Sequence, residues 1–488
     1  MDEFHRLQSR LSDALARNHA NSTAPHVVVV LPSFSVGESL LSHYASRLPA
    51  LEHRFLVSLF MLRFPAVRIV YICSAKPSDD VVDHYLSLLP PGIQETARDR
   101  FRIVVVDDSS ARAVASKLLD RPDLIEDIRS WVGNDPVHIE PWNVSDPEME
   151  VALRLASPIN GTPPTLWPLG FKSAGRAVFR EAGVPVAAGF EHLTTVDDGV
   201  EAVDRLRREH PSLQAVILKH DDSGAGDGNA VIPVDDLEPA GSSLSQRRLR
   251  SRINSLEPWY VEDLRLGFVV EERIDGTRFS SPSAQIDIRP DGSVRVLSTH
   301  EQILSEDGQV YLGCRFPADP GYATSLGTHV EAIGRVLAAR GALGRVAIDF
   351  VASATDTGPW QVHALEANIR KSGTTHPFTV LRHLAPGSYD PGTGSYTDDR
   401  GSQKANVSSD NIVDERWTGI SEGRVIAALH AAGLAFDPQT RTGVVPHMLS
   451  CLAVDGRFGA TAIGDSPEEA DTLYEAIAGA INTATLAS

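Results

Sequence analysis

Three short runs rich in β-branched residues recur early in the chain: "HVVVVLPSF" (26–34), "VRIVYICSA" (67–75) and "FRIVVVDDS" (101–109). Helical patterns such as "SLLSHYASRL" lie between them. A strand that is apolar on both faces must be covered on both faces, and a helical crossover makes neighbouring strands parallel. Residues 1–160 are therefore expected to form an α/β domain around a parallel sheet. A dinucleotide-binding domain would carry G-x-G-x-x-G after the first strand, whereas "LPSFSVGES" stands there. That reading loses its main support.

At 488 residues the chain exceeds one ordinary core. The Pro- and Gly-rich "ASPINGTPPTLWPLG" (156–170) reads as a linker into a second unit, residues 161–266. There a helix "KSAGRAVFREAG" and a strand "QAVILKH" precede the loop "DDSGAGDGNAVI". A third unit, 267–385, opens with "GFVVEERI" and holds a hairpin signal, "IRPDGSVRV". It continues through the helix "GTHVEAIGRVLAARGA" to the strands "RVAIDFVAS" and "QVHALEANI". Residues 386–412 are polar and Gly/Ser/Asp-rich and are predicted to be a mobile loop, followed by an α/β region at 413–488.

Composition excludes several classes. With 42% hydrophobic and 22% charged residues and no apolar run of bilayer length, the chain reads as soluble, with no membrane partner. Its first residues form an amphipathic pattern without the apolar stretch of a secretory signal. Three scattered cysteines support neither a disulfide framework nor a cysteine zinc site and fit a reducing cytoplasm. A formal charge of −19 argues against a nucleic-acid partner.

The chemistry gathers in "LEANIR". On a strand, Glu366, Asn368 and Arg370 share one face. Asp349 ends the preceding strand, so antiparallel pairing would bring its carboxylate to Glu366 and Asn368. Two carboxylates and an amide suit Mg²⁺, which takes few carboxylates and completes its shell with phosphate oxygens. Arg370 would hold a phosphoryl or carboxylate oxygen in a bidentate grip. The plain alternative is a solvated surface strand. In "VILKHDDSGAGDGNAVI", Lys219 precedes Gly224, Gly226 and Gly228, whose backbone N–H groups can approach phosphates closely; a simple turn after a strand is the competing reading. "FVVEERIDG" (268–276) reads either as a solvated strand end or as a hinge whose backbone meets an adenine edge. Lys172 opens a helix in "GFKSAG", and spacing alone gives it no role.

The order of these parts resembles the ATP-grasp ligases. "LEANIR" is similar to the E-x-N-x-R of carboxylases and the E-x-N of D-alanine ligases. Over most of the chain, "AQIDIRPDGSVRVLSTHEQIL", "YLGCRFP", "EANIRKSGTTHPF" and "GVVPHML" with "GRFGATAIGDSPEEA" look like the peptide ligase of pheganomycin biosynthesis and its relatives. The resemblance implies a pre-ATP-grasp domain (1–160), an ATP-grasp core of two α+β subdomains (161–266 and 267–385) and a small C-terminal α/β region. It implies Lys172 and Lys219 on the ATP phosphates, and Glu271 and Ile274 at adenine through the backbone. Asp349, Glu366 and Asn368 would hold Mg²⁺, with Mn²⁺ as an alternative, and Arg370 would steady the transferred phosphoryl group. D-alanine ligases carry an acid for the ribose where this chain has Arg278, which leaves that contact unassigned, with Glu272 a candidate. His300, Arg315 and His376 become candidate pocket residues, each histidine having a hydrogen-bonded structural role as its alternative. The implied activity is ADP-forming ligation of a carboxylate to an amine, in antibiotic or related natural-product biosynthesis, with the loop 221–229 as lid. An ATP-grasp kinase and a non-catalytic nucleotide-binding protein are the rivals. A homodimer is compatible with the sequence, which does not specify oligomeric state.

Overall fold

The structure is a computed structural model that describes residues 2–486, apart from 20, 36–37, 224–227 and 306–309. The three β-branched runs form β1 (His26–Leu31), β2 (Val67–Cys73) and β3 (Phe101–Val105), joined by β4 (Val137–Pro141). All pairs are parallel, in the order β3-β2-β1-β4. Alternate residues explain the composition of the runs. Val28, Val30, Ile69 and Tyr71 enter a core shared with the rest of the molecule, while Val27, Val29, Val70 and Ile72 enter a second core with Phe4, Ile128 and Val151. Strand order reverses between β1 and β4, and at the carboxyl ends of such strands an α/β sheet opens a crevice.

The segment 156–170 is no free linker. Ile159 bridges to Ile139 of β4, and the Thr162 hydroxyl donates to the Leu343 carbonyl at 2.9 Å. Its main chain bonds to β4 and its Thr162 hydroxyl to the unit that carries Leu343, which fixes it despite its Pro and Gly content.

The second unit is an antiparallel sheet of β5 (Gly189–Leu193), β6 (Ala215–His220), β7 (Asn229–Pro233) and β8 (Phe268–Glu272), in the order β5-β8-β6-β7. Val216, Leu218, Phe268 and Val270 pack against helices Val196–Glu209 and Ser243–Asn254. The alternation that buries them leaves Lys219 and Glu271 on the opposite face.

The large sheet contains β9 (Arg278–Ser280), β10 (Pro282–Ile288), β11 (Val294–Leu304), β12 (Tyr311–Phe316), β13 (Gly344–Ala354) and β14 (Gln361–Asn368). The predicted hairpin joins β10 to β11, with Gly292 at φ +78° in its turn. Helix Ala323–Ala339 covers one face, burying Leu326, Val330, Ile333 and Leu337 against Ile286, Ile348 and Phe350. Among the described residues no helix is long and apolar enough to cross a membrane.

Residues 386–412 depart from expectation. They form a hairpin of β15 (Gly387–Asp390) and β16 (Ser395–Asp398), then β17 (Ala405–Val413), which lies between β12 and β19 (Arg457–Gly464) with β18 (Gly443–His447) at the edge. The polar residues are satisfied by partners far away in sequence. Ser408 Oγ donates to the Ala460 carbonyl at 3.1 Å and Ser409 Oγ to the Leu312 carbonyl at 2.6 Å. Local composition carries no trace of those partners, so a polar buried strand read as loop. The last strands thus extend the same sheet.

Candidate functional site

β13 and β14 run antiparallel, with Asp349 directly opposite Glu366 and Ala347 opposite Asn368. Burying Ile348 and Phe350 beneath the covering helix turns Asp349 to the other face, where Glu366 and Asn368 also point. That face is the floor of a cavity of about 370 Å³. Its roof is the second unit: Lys219 comes from the end of β6 and Lys172 from the first residue of helix Lys172–Glu181. Asp221 pins that helix start, its Oδ1 accepting from Ser173 N at 2.7 Å.

Charges converge closely here. Lys172 Nζ is 3.2 Å from Glu366 Oε1 and donates to the Ser223 carbonyl at 2.5 Å. Lys219 Nζ lies 2.5 Å from Glu271 Oε2, whose other oxygen takes Arg176 Nη1 at 2.7 Å. Burial pushes the Glu271 carboxyl up, but the Lys219 and Arg176 charges overcome it and hold it below its ordinary value. Asp349 Oδ1 accepts from Gln302 Nε2 at 2.8 Å and Oδ2 from Asn368 Nδ2 at 2.9 Å. Burial, then the neighbouring Glu366 charge, push the Asp349 carboxyl up to about 6. Burial lowers the Arg370 guanidinium, against the pull of Glu366 and Asp349; it sits 4.4 Å over the Trp142 ring.

The donor set fits a divalent cation. Two half-buried carboxylates face one another where their mutual repulsion is only partly offset by Lys172, and an amide stands beside them. Among the described residues no group of three or more His, Cys, Asp or Glu is placed to hold a metal ion, so a closed all-protein cage is absent there. Such an open set leaves room for ligand oxygens.

Lys172, Lys219, Asp349, Glu366, Asn368 and Arg370 thus line one cavity. Gly228 abuts Ser223, while Gly224 and Gly226, with the centre of the expected lid, lie outside the described residues. Glu272 and Ile274 do not line the cavity; Glu272 Oε1 accepts from Ala188 N at 2.8 Å. The Glu271 side chain is a buried ion partner for Lys219. Arg315 is corrected: it is exposed on β12 and pairs with Asp471 at 3.0 Å, because its position on the strand turns it away from the cavity. His376 is buried behind the cavity, its ring 4.1 Å from that of His447, and burial drives its pKa well below the usual range. His300 is also buried, pushed down to about 3 by burial and by Arg345, within reach of Gln285 and Ser298.

Sequence reasoning missed Gln302, Arg176 and Trp142. Arg176 lies four residues beyond Lys172 on one helical face, a signal that was available. Gln302 follows His300 at the next same-face position of β11. Nothing local marks Trp142.

The fold is that of the ATP-grasp proteins. A family model described as the PGM1 C-terminal domain matches residues 424–477. The chain is 29% identical to the L-propargylglycine–L-glutamate ligase of Streptantibioticus cattleyicolor, over 84% of this chain and 85% of that one. Its fold matches biotin carboxylase from Campylobacter jejuni at TM-score 0.53 and 13% identity, covering 91% of this chain and 89% of that one. It also matches N5-carboxyaminoimidazole ribonucleotide synthetase from Thermus thermophilus at TM-score 0.51 and 13% identity, covering 93% and 98%. This likeness in sequence and fold agrees with the ATP-grasp, pheganomycin-ligase resemblance that the motifs carry.

Proposed function

We propose that the protein is an ADP-forming carboxylate–amine ligase that joins an amino acid or peptide-like acid to the amine of an amino acid or peptide. The observation that carries this reading is the opposition of Asp349 and Glu366 in one cavity with Lys172, Lys219 and Arg370. The named activity of the Streptantibioticus relative, a ligase of two amino acids, supports it.

In this reading Lys172 and Lys219 hold the phosphates of ATP, and the backbone after β8, from Glu271 to Ile274, flanks adenine. Asp349, Glu366 and Asn368 would hold Mg²⁺, which when bound would neutralise phosphate charge. The substrate carboxylate attacks the γ-phosphorus and the bond to ADP breaks, giving an acyl phosphate. The amine nitrogen then attacks the acyl carbon; phosphate leaves with one former carboxylate oxygen and the amine gives up a proton. Arg370 steadies the phosphoryl oxygens, and the chain's part is positioning and charge neutralisation rather than covalent chemistry.

The test follows the oxygen. With a carboxylate substrate labelled with heavy oxygen, one labelled atom per amide should appear in inorganic phosphate, alongside ADP. Release of AMP, or unlabelled phosphate, would show the acyl-phosphate path to be wrong. A phosphorylated acceptor without amide would favour a kinase.

A further inference from the structure

A second, larger cavity of about 720 Å³ adjoins the first, with Ser372 lining both. It lies between the parallel domain and the large sheet. Trp142, just past the carboxyl end of β4 at the reversal of strand order, lines it while its ring faces Arg370. Seven of its lining residues are Arg or Lys and three are Asp or Glu, in a chain whose net charge is −19.

Pairing within the protein does not account for this excess. Lys371 is matched by Glu140 at 2.7 Å and Arg54 by Asp410 at 3.1 Å. Arg63, Arg345 and Arg382 make no ion pair within 4 Å among the described residues, and the Nε of Arg63 and of Arg345 is buried without a hydrogen-bond partner there. Burial, joined by the charge of Arg382, lowers both Arg63 and Arg345 to about 10, although Asp287 opposes this at Arg345. Arg382 itself faces Asp287, Arg295 and Glu140, and burial is the largest cause lowering it. Of the three acids, Asp287 and Asp291 are in no ion pair among the described residues; Asp287 lies opposite Arg345 on one strand and Arg295 on the other, and Asp291 accepts from Ser293 N and Oγ in the exposed turn. Clustered cations in a partly desolvated site are costly unless an anion joins them, and planar guanidinium groups match carboxylates in a bidentate fashion. The histidines that border the cluster, His376 and His383, are held neutral by burial and add no charge.

We propose that this cavity binds a ligation substrate carrying more than one carboxylate, an acidic amino acid or acidic peptide, with Arg63, Arg345 and Arg382 holding the carboxylates that do not react. The assignment rests on the ligase reading and names its substrate class. The reacting end then lies toward Ser372, next to the metal-binding face. The volume lies in the range of small-molecule sites and accommodates more than one residue.

Calorimetric titration of the full chain with Mg²⁺ and a non-hydrolysable ATP analogue tests it, comparing the dipeptide L-glutamyl-L-glutamate with L-glutaminyl-L-glutamine. The acidic dipeptide should bind at least tenfold more tightly, and Arg382→Ala should remove that preference while leaving analogue binding unchanged. Arg295→Ala, exposed at the rim, should weaken acidic binding several-fold and serves if Arg382→Ala does not fold. Equal binding of the two dipeptides, binding of neither, or an unaltered preference in the folded variants would overturn the assignment. If amide formation persists in those cases, the ligase reading stands alone. If acidic selectivity holds while no acid and amine pair yields amide, the ligase reading fails and the pocket stands.

Discussion

Asp349 and Glu366 show how function and stability oppose each other in single residues. Their carboxylates face one another across a strand pair, and Asp349 is pushed up to about 6 by burial and by that neighbour. A neutral isostere relieves the repulsion but removes a charge from the proposed cation site. Asp349→Asn should therefore lower kcat/KM by about a hundredfold or more, near 3 kcal/mol of transition-state stabilisation. Its thermal midpoint without metal should stay level or rise. Glu366→Gln should lose as much activity but also some stability, since Lys172 forfeits its partner. Near-normal turnover in both variants would remove these residues from the metal site. Glu366, Asn368 and Lys219 were legible as alternate or terminal strand positions, because side-chain alternation is a local property. The Glu271–Lys219–Arg176 cluster was not, because it joins β8, β6 and a helix far apart in the chain.

At the level of elements, the seam between β12 and β17 decides whether the C-terminal strands belong to the large sheet. Gly313 sits there opposite Ser409, and a Cβ on it would come within 2.2 Å of the Ser408 carbonyl oxygen. Backbone cannot yield as a flexible side chain does, so Gly313→Ala should destabilise by roughly 1–3 kcal/mol. Gly479, in helix Pro467–Leu486, meets nothing within 4 Å, and Gly479→Ala should stabilise by up to about 1 kcal/mol. Thermal midpoints should move in opposite directions. A Gly313→Ala protein as stable as the parent would mean that this seam is open. Turn composition hid the seam: the residues that satisfy β17 come from β12 and β19, and nothing within 386–412 announces them.

For the whole molecule, Glu52 is one source of the dependence of stability on pH. Glu52 is buried, accepting from Ser74 N at 2.6 Å and Ser74 Oγ at 2.7 Å, while Lys117 Nζ donates to the same hydroxyl at 2.8 Å. Burial outweighs these bonds and the Lys117 charge and raises the carboxyl from 4.5 to about 7. A raised folded-state value means that the contribution to stability is complete below about 4.5 and is lost as pH climbs through about 7. That shift corresponds to roughly 3 kcal/mol. Unfolding by denaturant should show the stability of the parent relative to Glu52→Gln falling by an amount of that order from pH 4 to 8. Parallel curves would mean that Glu52 stays ionised in the fold. Sequence by itself determined what is set by neighbours along the chain: the parallel domain from its β-branched runs, the β10–β11 hairpin from its turn, and the shared face of Glu366 and Asn368, with Arg370 in the bend just beyond β14. Tertiary structure alone decided what lies across each face: Gln302 against Asp349, Arg315 turned outward, β17 inside the sheet, and arginines around the second cavity that make no ion pair among the described residues. The reason is physical. Alternation and turn geometry are fixed by a few consecutive dihedral angles, whereas the partner of a buried charge depends on strand register and on which helix covers the other face.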